Sequence, residues 1–347
     1  MRNSITPAVR SVRRVLGKRA MKGSKNLTGA RASRRPAWQC HLDIVRLNPS
    51  AAALVFGLLP GIAAADGARD WMNLPIDTNL VYLYYNHVQS NTQLDTTLPV
   101  QGVNATMNMA LVRYAYSFPV AGKTGGIQFL LPYSWASANI DSSIAPLASR
   151  EFSKNGTGDL TVVLAANLFG APALTREAFA KATPQTLLTS AVFLTVPIGQ
   201  YDRNKPVNFG GNRWVVKPQL AFNYPFAKSM LTVNGNVSFY TENGDYYQPD
   251  GRGKLQQAPL GTLEAHYSYS FNRALWAAVD LVYSNGGRTK INGVKQGNAQ
   301  DTLKLGVSGS FNVTPTDAVA VSFLKTVSTP AGAADVKVLS INYNHAW

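Results

Sequence analysis

His266 and Ser268 are the residues whose types and spacing come nearest to a catalytic arrangement. Side chains two positions apart point to the same side of an extended strand, so the imidazole and the hydroxyl can meet. A histidine in that position can remove the proton of a serine hydroxyl and turn the oxygen into a nucleophile. The pair therefore makes hydrolysis of a lipid ester one function to weigh.

Other kinds of chemistry have less support. The single cysteine, Cys40, and the adjacent His41 lie in the basic N-terminal stretch. The other histidines, His87, His266 and His345, are scattered, and no pair among them has the spacing of metal ligands. The sequence also contains no phosphate-binding glycine loop and no dinucleotide fingerprint. We therefore expect neither a metal ion nor another cofactor.

A second set of candidates consists of charged residues on the polar side of segments in which polar and apolar residues alternate. Four cations stand against three anions, so strong ion selectivity is not expected. In an enclosed lumen these side chains, together with His266, could contact a passing solute, or they could pair with one another and fill a narrow interior. The candidates are Arg113, Asp159, Arg213, Lys217, Glu264, His266, Asp280 and Lys304.

The elements that carry these residues are twelve alternating segments rich in Val, Leu, Tyr, Phe and Thr. None is long and apolar enough for a transmembrane helix, which takes about 20 residues. A strand tilted by about 45° crosses a bilayer with roughly 9 to 11 residues, which is close to the length of these segments. They are 79–88, 106–118, 126–137, 159–169, 186–197, 213–223, 230–241, 260–271, 275–284, 302–311, 318–327 and 335–347.

The two faces of these segments differ as the two sides of a membrane barrel wall do. One face is apolar with Tyr and Trp near its ends, and the other carries mainly Ser, Thr, Asn and Gln. A soluble β-sandwich also alternates, but its outer faces are usually rich in Lys and Glu. The expected fold is an all-β, antiparallel transmembrane β-barrel of about 12 strands, with short periplasmic turns and longer outer loops.

Two connections depart from that pattern of loops. Residues 170–185 should form a short periplasmic turn, but they are long and predict one or two turns of helix. The last outer loop, 328–334, is unusually short.

The last segment predicts the strand that closes the barrel. Its apolar residues alternate with polar ones, and the chain ends at Trp347. Aromatic residues are favoured at the membrane interface, so we expect Tyr343, Trp347 and Trp214 to lie there. We also expect this segment to pair with 79–88 and to contact the barrel-assembly machinery.

Residues 1–65 predict a basic leader that ends in a signal peptide, and residues 66–347 predict the barrel. The leader holds 12 of the 33 Lys and Arg residues and one of the 18 acidic residues, so the remaining 21 cations and 17 anions nearly balance. Its apolar run, 51–65, closes on small residues and is too short to span a bilayer. We expect cleavage near Ala65, location in the bacterial outer membrane among its lipids, and no nucleic-acid partner. The long basic stretch leaves a start at Met21 open.

The densest motif of the chain extends from Pro197 to Pro218. Its sequences PIGQYD, VNFGGNRW and KP resemble the bacterial family described as the putative MetA pathway of phenol degradation. Similar stretches are EAF at 177–179, NGD at 243–245, QAPL at 257–260, WAA at 276–278 and GGRT at 286–289. The resemblance covers nearly all of the chain after the leader, and it implies an outer-membrane barrel that admits hydrophobic or aromatic compounds. The short last outer loop departs from the family pattern.

Three functions are open from the sequence. The expected one is a channel or transporter through which small hydrophobic or aromatic compounds diffuse. The first alternative is a binding or structural barrel with a closed lumen, which the sequence does not separate from a channel. The second is a lipid hydrolase. We expect no enzyme, because His266 and Ser268 fall on the polar face of their segment rather than on the face toward lipid.

Overall fold

The computed structural model describes residues 66–92, 103–140, 151–205, 207–248, 251–330 and 334–347. The predicted leader, 1–65, lies outside the described residues, which begin at Asp66, directly after the predicted cleavage site. No helix in the described ranges is long and apolar enough to cross a membrane.

Twelve antiparallel strands form the wall of one closed barrel. Strands that follow each other in the chain are neighbours in the wall, and β1 also pairs with β12, which leaves no free edge. The prediction of a twelve-stranded antiparallel barrel is therefore confirmed. The strands are β1 (Asn79–Thr92), β2 (Val103–Val120), β3 (Lys123–Ile140), β4 (Glu151–Thr157 and Leu160–Phe169), β5 (Leu187–Val196), β6 (Val215–Phe226), β7 (Ser229–Tyr240), β8 (Leu260–Ser270), β9 (Leu275–Gly286), β10 (Gln300–Asn312), β11 (Asp317–Ser328) and β12 (Ala334–Ala346).

Alternation along the strands separates an inner polar surface from an outer apolar one. In β8, the side chains of Glu264, His266 and Ser268 are buried inside the barrel. Leu263 and Tyr267 on the other face are 48% and 45% exposed. Large exposed apolar side chains cover the outside of every strand in this way, which is unfavourable in water and favourable in a bilayer. The outer surface is therefore the lipid-facing belt.

The strand β4 is divided by Gly158 and Asp159, which lie between its two parts. Opposite them, Pro132 of β3 has no N–H for the ladder, and its carbonyl accepts a hydrogen bond from Gly158 N at 2.9 Å. The interruption releases Asp159 from the ladder. The sequence predicted only the inner part of this strand, because the outer part is polar and contains Gly156.

Two outer connections form additional strands that the sequence did not predict. The stretches 242–259 and 285–301, predicted as loops, contain a separate four-stranded sheet. Leu255 pairs with Ile291 in this sheet, so its ladder joins stretches that are distant in sequence. Its strands are Asn243–Gln248, Gly251–Gln257, Thr289–Ile291 and Val294–Lys295.

The long periplasmic connection contains the short helix that its sequence predicted. This helix, α1, spans Arg176–Phe179, and the Thr175 hydroxyl accepts a hydrogen bond from Ala178 N at 3.4 Å. A threonine in that position satisfies one of the free N–H groups at a helix start. The connection also contacts the chain at the base of the lumen, as described below.

The three aromatic residues that the sequence predicts at the membrane interface lie on the outer surface. Trp214, Tyr343 and Trp347 are exposed on the outside of the barrel. Trp214 comes just before the outer end of β6, and Trp347 follows the inner end of β12. Trp347 also extends the ladder, because its N–H donates to Asn79 O at 3.0 Å and its carbonyl accepts from Asn79 N at 3.1 Å.

Deletion of Trp347 is expected to lower the yield of inserted barrel without changing the properties of the barrels that do insert. The deletion removes both the interface indole and the last ladder bonds between β1 and β12. Boiled and unboiled membrane samples compared on a denaturing gel measure the folded fraction. Trp214→Ala is the matched control, since it removes an interface indole that does not close the barrel. Full insertion of the deletion variant with a changed solute flux would contradict this assignment.

Candidate functional site

The lumen contains polar side chains on β6, β7 and β8 that are almost completely buried. A water-filled pore would leave them accessible, so another part of the chain must cover them. The most deeply buried are Asn223, Thr232, Asn234, Glu264 and Ser268.

Residues 66–78, which precede β1, occupy the periplasmic half of the lumen and are termed the plug. At its base, Ile76 N donates a hydrogen bond of 2.9 Å to Leu174 O in the long periplasmic connection. From there the chain rises to Asp66, whose backbone N lies 3.0 Å from Glu264 Oε2 at mid-height of β8. The first described residue is therefore among the deepest parts of the plug.

The Asp66 carboxylate joins the plug to two strands of the wall. Its Oδ2 accepts hydrogen bonds from Trp71 Nε1 at 2.6 Å, Gln219 Nε2 at 2.6 Å and Asn234 Nδ2 at 3.3 Å. All three donors are neutral, so the charge of this carboxylate is stabilised by dipoles. The bonds fix the tip of the plug against β6 and β7.

Trp71 is the apolar anchor of the plug. Its indole is 6% exposed and meets the ring of Phe193 edge-on, with ring centroids 6.1 Å apart. Its carbonyl accepts a hydrogen bond of 3.0 Å from Asn223 Nδ2. The indole belongs to an apolar cluster on β4, β5 and β6 that also contains Val163, Ala191 and Ala221.

Arg69 ties the plug to β8, which is next to β7 in the wall. Its Nε donates to Ser268 Oγ at 2.8 Å and its Nη2 to Ser270 Oγ at 2.9 Å, both on β8. The guanidinium also lies 5.0 Å from the centre of the Trp276 ring, a cation–π distance. Burial lowers the pKa of the Arg69 guanidinium from its usual value.

Asp70 and Arg113 form the ion pair between the plug and β2. Arg113 Nη1 lies 3.3 Å from Asp70 Oδ2, and Arg113 Nε donates to Gln128 Oε1 at 2.7 Å. The guanidinium also lies 4.7 Å from the ring centre of Tyr82. Burial raises the pKa of the Asp70 carboxyl, and the charge of Arg113 opposes that shift. Arg113 thus has its charged partner in the plug.

His266 is held by acidic groups of the lumen. Its Nδ1 lies 2.7 Å from Asp280 Oδ1, and its Nε2 lies 3.8 Å from Glu264 Oε2. The Ser268 hydroxyl instead donates to Met230 O at 3.4 Å and accepts the Arg69 bond described above. Among the described residues no hydrogen bond joins His266 to Ser268, so the base and nucleophile arrangement is not formed.

Lys217 and Lys304 lie on the lumen side near Glu264, and their charges act on that carboxylate. Lys217 Nζ lies 3.8 Å from the ring centre of Phe193, above the apolar cluster that holds Trp71. The two lysines therefore place positive charge beside the tip of the plug.

Residues 197–214, termed the cap, fold onto the outer half of the lumen. Asp159 holds both ends of the cap, since its Oδ1 accepts from Gly199 N at 2.9 Å and its Oδ2 from Gly211 N at 2.7 Å. Glycine is needed at 199, because a Cβ there would lie 2.5 Å from a backbone carbon of Gly158. The division of β4 thus positions the anion on which the cap depends.

The middle of the cap contributes apolar side chains to the lumen. Val207 and Phe209 are buried against the walls formed by β1, β2, β3 and β12. Lys154 Nζ hydrogen-bonds Val207 O and also donates to Asn208 Oδ1 at 2.8 Å. The cluster, termed the apolar lining, contains Val88, Ala105, Met107, Ala136, Val207, Phe209, Val336 and Val338.

Arg213 lies at the outer end of the lumen, where the cap rejoins β6. Its Nη2 donates to Gln257 Oε1 at 2.5 Å, and its guanidinium lies 4.6 Å from the ring centre of Tyr240. Burial lowers the pKa of the Arg213 guanidinium. In the adjoining outer sheet, burial raises the pKa of Tyr246 to about 12.

The structure therefore distributes the eight sequence candidates over three places. Glu264, His266 and Asp280 lie together at mid-height with Lys217 and Lys304 nearby, whereas Arg113 meets the plug and Asp159 and Arg213 meet the cap. Sequence reasoning missed the four plug residues Asp66, Arg69, Asp70 and Trp71. Their one local signal is a dense group of charges and a tryptophan directly before the first strand. No group of three or more His, Cys, Asp or Glu in the described ranges could hold a metal ion.

A closed barrel with a lipid-facing belt and a polar, largely filled lumen is an outer-membrane β-barrel. The chain belongs to the family described as "Putative MetA-pathway of phenol degradation", which it matches over residues 88–341. No curated protein matches the chain.

Two solved structures have a similar fold. The COG4313 outer membrane channel from Pseudomonas putida F1 has 21% sequence identity and a TM-score of 0.69, with 82% of this chain and 100% of that chain covered. The transport unit of the autotransporter AIDA-I from Escherichia coli has 10% identity and a TM-score of 0.54, with 86% and 99% covered.

Proposed function

We propose that this barrel is an outer-membrane channel through which small hydrophobic or aromatic compounds diffuse. The observation that carries the proposal is the apolar lining in the outer half of the lumen. These side chains are buried beneath the cap, so a hydrophobic solute meets them where the cap opens, and it then leaves water for an apolar surface, which is favourable. The family description refers to phenol degradation, and the protein of similar fold from Pseudomonas putida F1 is an outer membrane channel.

The pairing of charged residues in the lumen favours an uncharged solute over an ion. Arg113 pairs with Asp70, and His266 pairs with Asp280. Charges held in this way stabilise the interior and leave little free charge to attract an ion. Within this proposal, Lys217 lies beside the solute path at the tip of the plug, and the buried Glu264 holds that tip.

Cells that produce the protein are expected to take up the fluorescent aromatic probe 1-N-phenylnaphthylamine faster than cells that lack it. Val338→Asn should slow uptake several-fold, because a polar group in the apolar lining costs about 1 kcal/mol or more of solute binding. Ser340→Asn is the matched control, since it changes the same face of β12 outside that lining.

Uptake that is unaffected by the protein would contradict the channel and favour the closed-lumen barrel. Swelling of liposomes that contain the purified protein, measured with sugars, separates a hydrophobic path from a general pore. A hydrophobic path gives probe uptake with little sugar flux.

We propose no enzymatic role for the barrel. The Ser268 hydroxyl accepts a bond from Arg69, and His266 is turned toward Asp280, so neither group is available for proton transfer between them. The lipids of the outer membrane contact the outer belt, and the assembly machinery is proposed to act on β12. Loss of lipid-ester hydrolysis in Ser268→Ala would overturn the non-enzymatic assignment.

A further inference from the structure

The deepest contact of the plug joins a backbone nitrogen to a buried carboxylate. Asp66 N lies 3.0 Å from Glu264 Oε2, and Glu264 is 2% exposed. The Asp66 carboxylate lies close enough to repel Glu264. His266 and the charges of Lys217 and Lys304 act on Glu264, but Asp66 and Asp280 bring two further carboxylates to the same place. Each positive charge close to a buried carboxylate offsets part of its desolvation cost. The electrostatic energy of Glu264 therefore depends on whether Asp66 N is a neutral peptide nitrogen or a charged amine.

The sequence directly before Asp66 determines that group. Ala63, Ala64 and Ala65 form the small-residue pattern at which a signal peptide is cut. Cleavage there adds one water across the Ala65–Asp66 peptide bond. The carboxylate leaves with Ala65, and the amine remains on Asp66, where it takes up a proton at neutral pH. A neutral peptide N–H is thereby replaced by an α-ammonium group.

The direction of the plug favours cleavage before docking. The plug enters from the periplasmic end, where Ile76 contacts Leu174, and its chain rises to Asp66 at mid-height. A residue that preceded Asp66 would have to continue from mid-height into the outer half of the lumen, which the cap covers. Cleavage before docking avoids that path.

A second observation concerns Asn234, which lies directly opposite Glu264 in the pairing of β7 with β8. Its Oδ1 is buried and has no hydrogen-bond donor among the residues described. Its Nδ2 already contacts the Asp66 carboxylate. A peptide nitrogen has one N–H, which is directed at Glu264, whereas an ammonium group has three. The additional donors match the unsatisfied acceptor beside it.

We propose that signal cleavage after Ala65 creates an α-ammonium group on Asp66 that pairs with Glu264 and locks the plug in the lumen. Processing of the leader is then a chemical step in closing the barrel as well as a step in export. The lock depends on the position of the N-terminus to within one residue. It does not depend on which solute the channel carries.

The protein purified from outer membranes tests this proposal through the reactivity of its N-terminus. An amine-reactive acylating reagent at neutral pH is applied to the native and to the boiled protein, and trypsin then releases the N-terminal peptide Asp66–Arg69 for mass analysis. The unmodified peptide is expected to begin at Asp66. Labelling of the native protein should be at least about tenfold slower than that of the boiled protein, because the buried amine reacts only when the plug opens.

Two variants test whether the ion pair with Glu264, rather than burial alone, protects the Asp66 amine from labelling. Glu264→Gln keeps a hydrogen-bond acceptor but removes the charge, and it should raise the labelling rate of the native protein about tenfold or more. Glu242→Gln is the control, because Glu242 forms an exposed ion pair in the outer sheet, and it should leave that rate unchanged. Insertion of Gly-Ser between Ala65 and Asp66 keeps the plug sequence but moves the amine, and should have the same effect as Glu264→Gln. The heat shift on a gel confirms that each barrel is folded. A mature chain that begins elsewhere, equal labelling of native and boiled protein, or an unchanged rate in the insertion variant would each overturn the proposal.

Discussion

Replacing Trp71 with alanine is expected to release the plug while leaving the barrel wall intact. The indole is almost fully buried, contacts Phe193 and donates to the Asp66 carboxylate. Truncation of a buried tryptophan costs about 3 to 5 kcal/mol. That loss corresponds to a shift of at least about a hundredfold in the ratio of docked to undocked plug.

The plug is vulnerable to this change because a few side chains hold it in place. Within the described residues, 66–78 form no strand, and their backbone hydrogen bonds to the wall are confined to Asp77 and Thr78 at the base, which pair with Ser117 of β2. Docking instead depends on Trp71, the Asp70–Arg113 pair and the bonds of Asp66 and Arg69. Segments with few backbone bonds open locally at much lower free energy than the wall.

Trypsin measures the effect through cleavage after Arg69, which gives a new N-terminus at Asp70. In the native protein Arg69 is bonded to Ser268 and Ser270, so cleavage requires undocking. Trp71→Ala should raise the cleavage rate at least about a hundredfold, since proteolysis of an opened segment follows its population. The conductance of the reconstituted protein should rise with it. Trp214→Ala, which removes an indole from the lipid face, is the control. Equal cleavage rates in the two variants would contradict the role of Trp71 as the anchor.

The wall of the barrel was predictable because its signals are local. In β8 and β12, strict alternation of polar and apolar residues predicts both the strand and its facing from ten or so consecutive positions. Each strand pairs with the next one in the chain, so the topology follows from the order. The polar outer part of β4 was missed because apolar alternation is absent there.

The plug and the cap were not predictable in the same way. Asp66 contacts Glu264 across 198 positions and Arg69 contacts Ser268 across 199, and neither contact produces a periodic pattern. Sequence reasoning listed Arg113 as a lumen charge but could not find its partner, because Asp70 precedes the first strand. It placed Asp159 within a strand, whereas Pro132 interrupts the ladder and frees that carboxylate for the cap.

Asp159→Ala is expected to release the cap from the outer half of the lumen. The carboxylate accepts the N–H groups of Gly199 and Gly211, which are the two ends of the cap. A hydrogen bond to a charged group contributes about 1.5 to 3 kcal/mol, so losing both costs about 3 kcal/mol or more. The apolar contacts of Val207 and Phe209 then have to hold the cap alone.

Trypsin also measures this change, through cleavage after Arg203, which is exposed on the cap. Lys205 is followed by proline in the sequence and is a poor site, so cleavage at Arg203 reports on the cap without interference. Asp159→Ala should raise the rate about a hundredfold. Asp245→Ala is the control, because its carboxylate forms an exposed ion pair with Arg252 in the outer sheet.

The double variant with Trp71→Ala tests whether the plug and the cap are coupled. The two side chains removed share no partner: Trp71 contacts Phe193 and bonds Asp66, whereas Asp159 bonds Gly199 and Gly211. Distant sites without shared partners are expected to have additive free energies. Cleavage at Arg69 should therefore be the same with and without Asp159→Ala. A further rise at Arg69 in the double variant would show instead that opening at the outer side of the barrel favours opening at the periplasmic side.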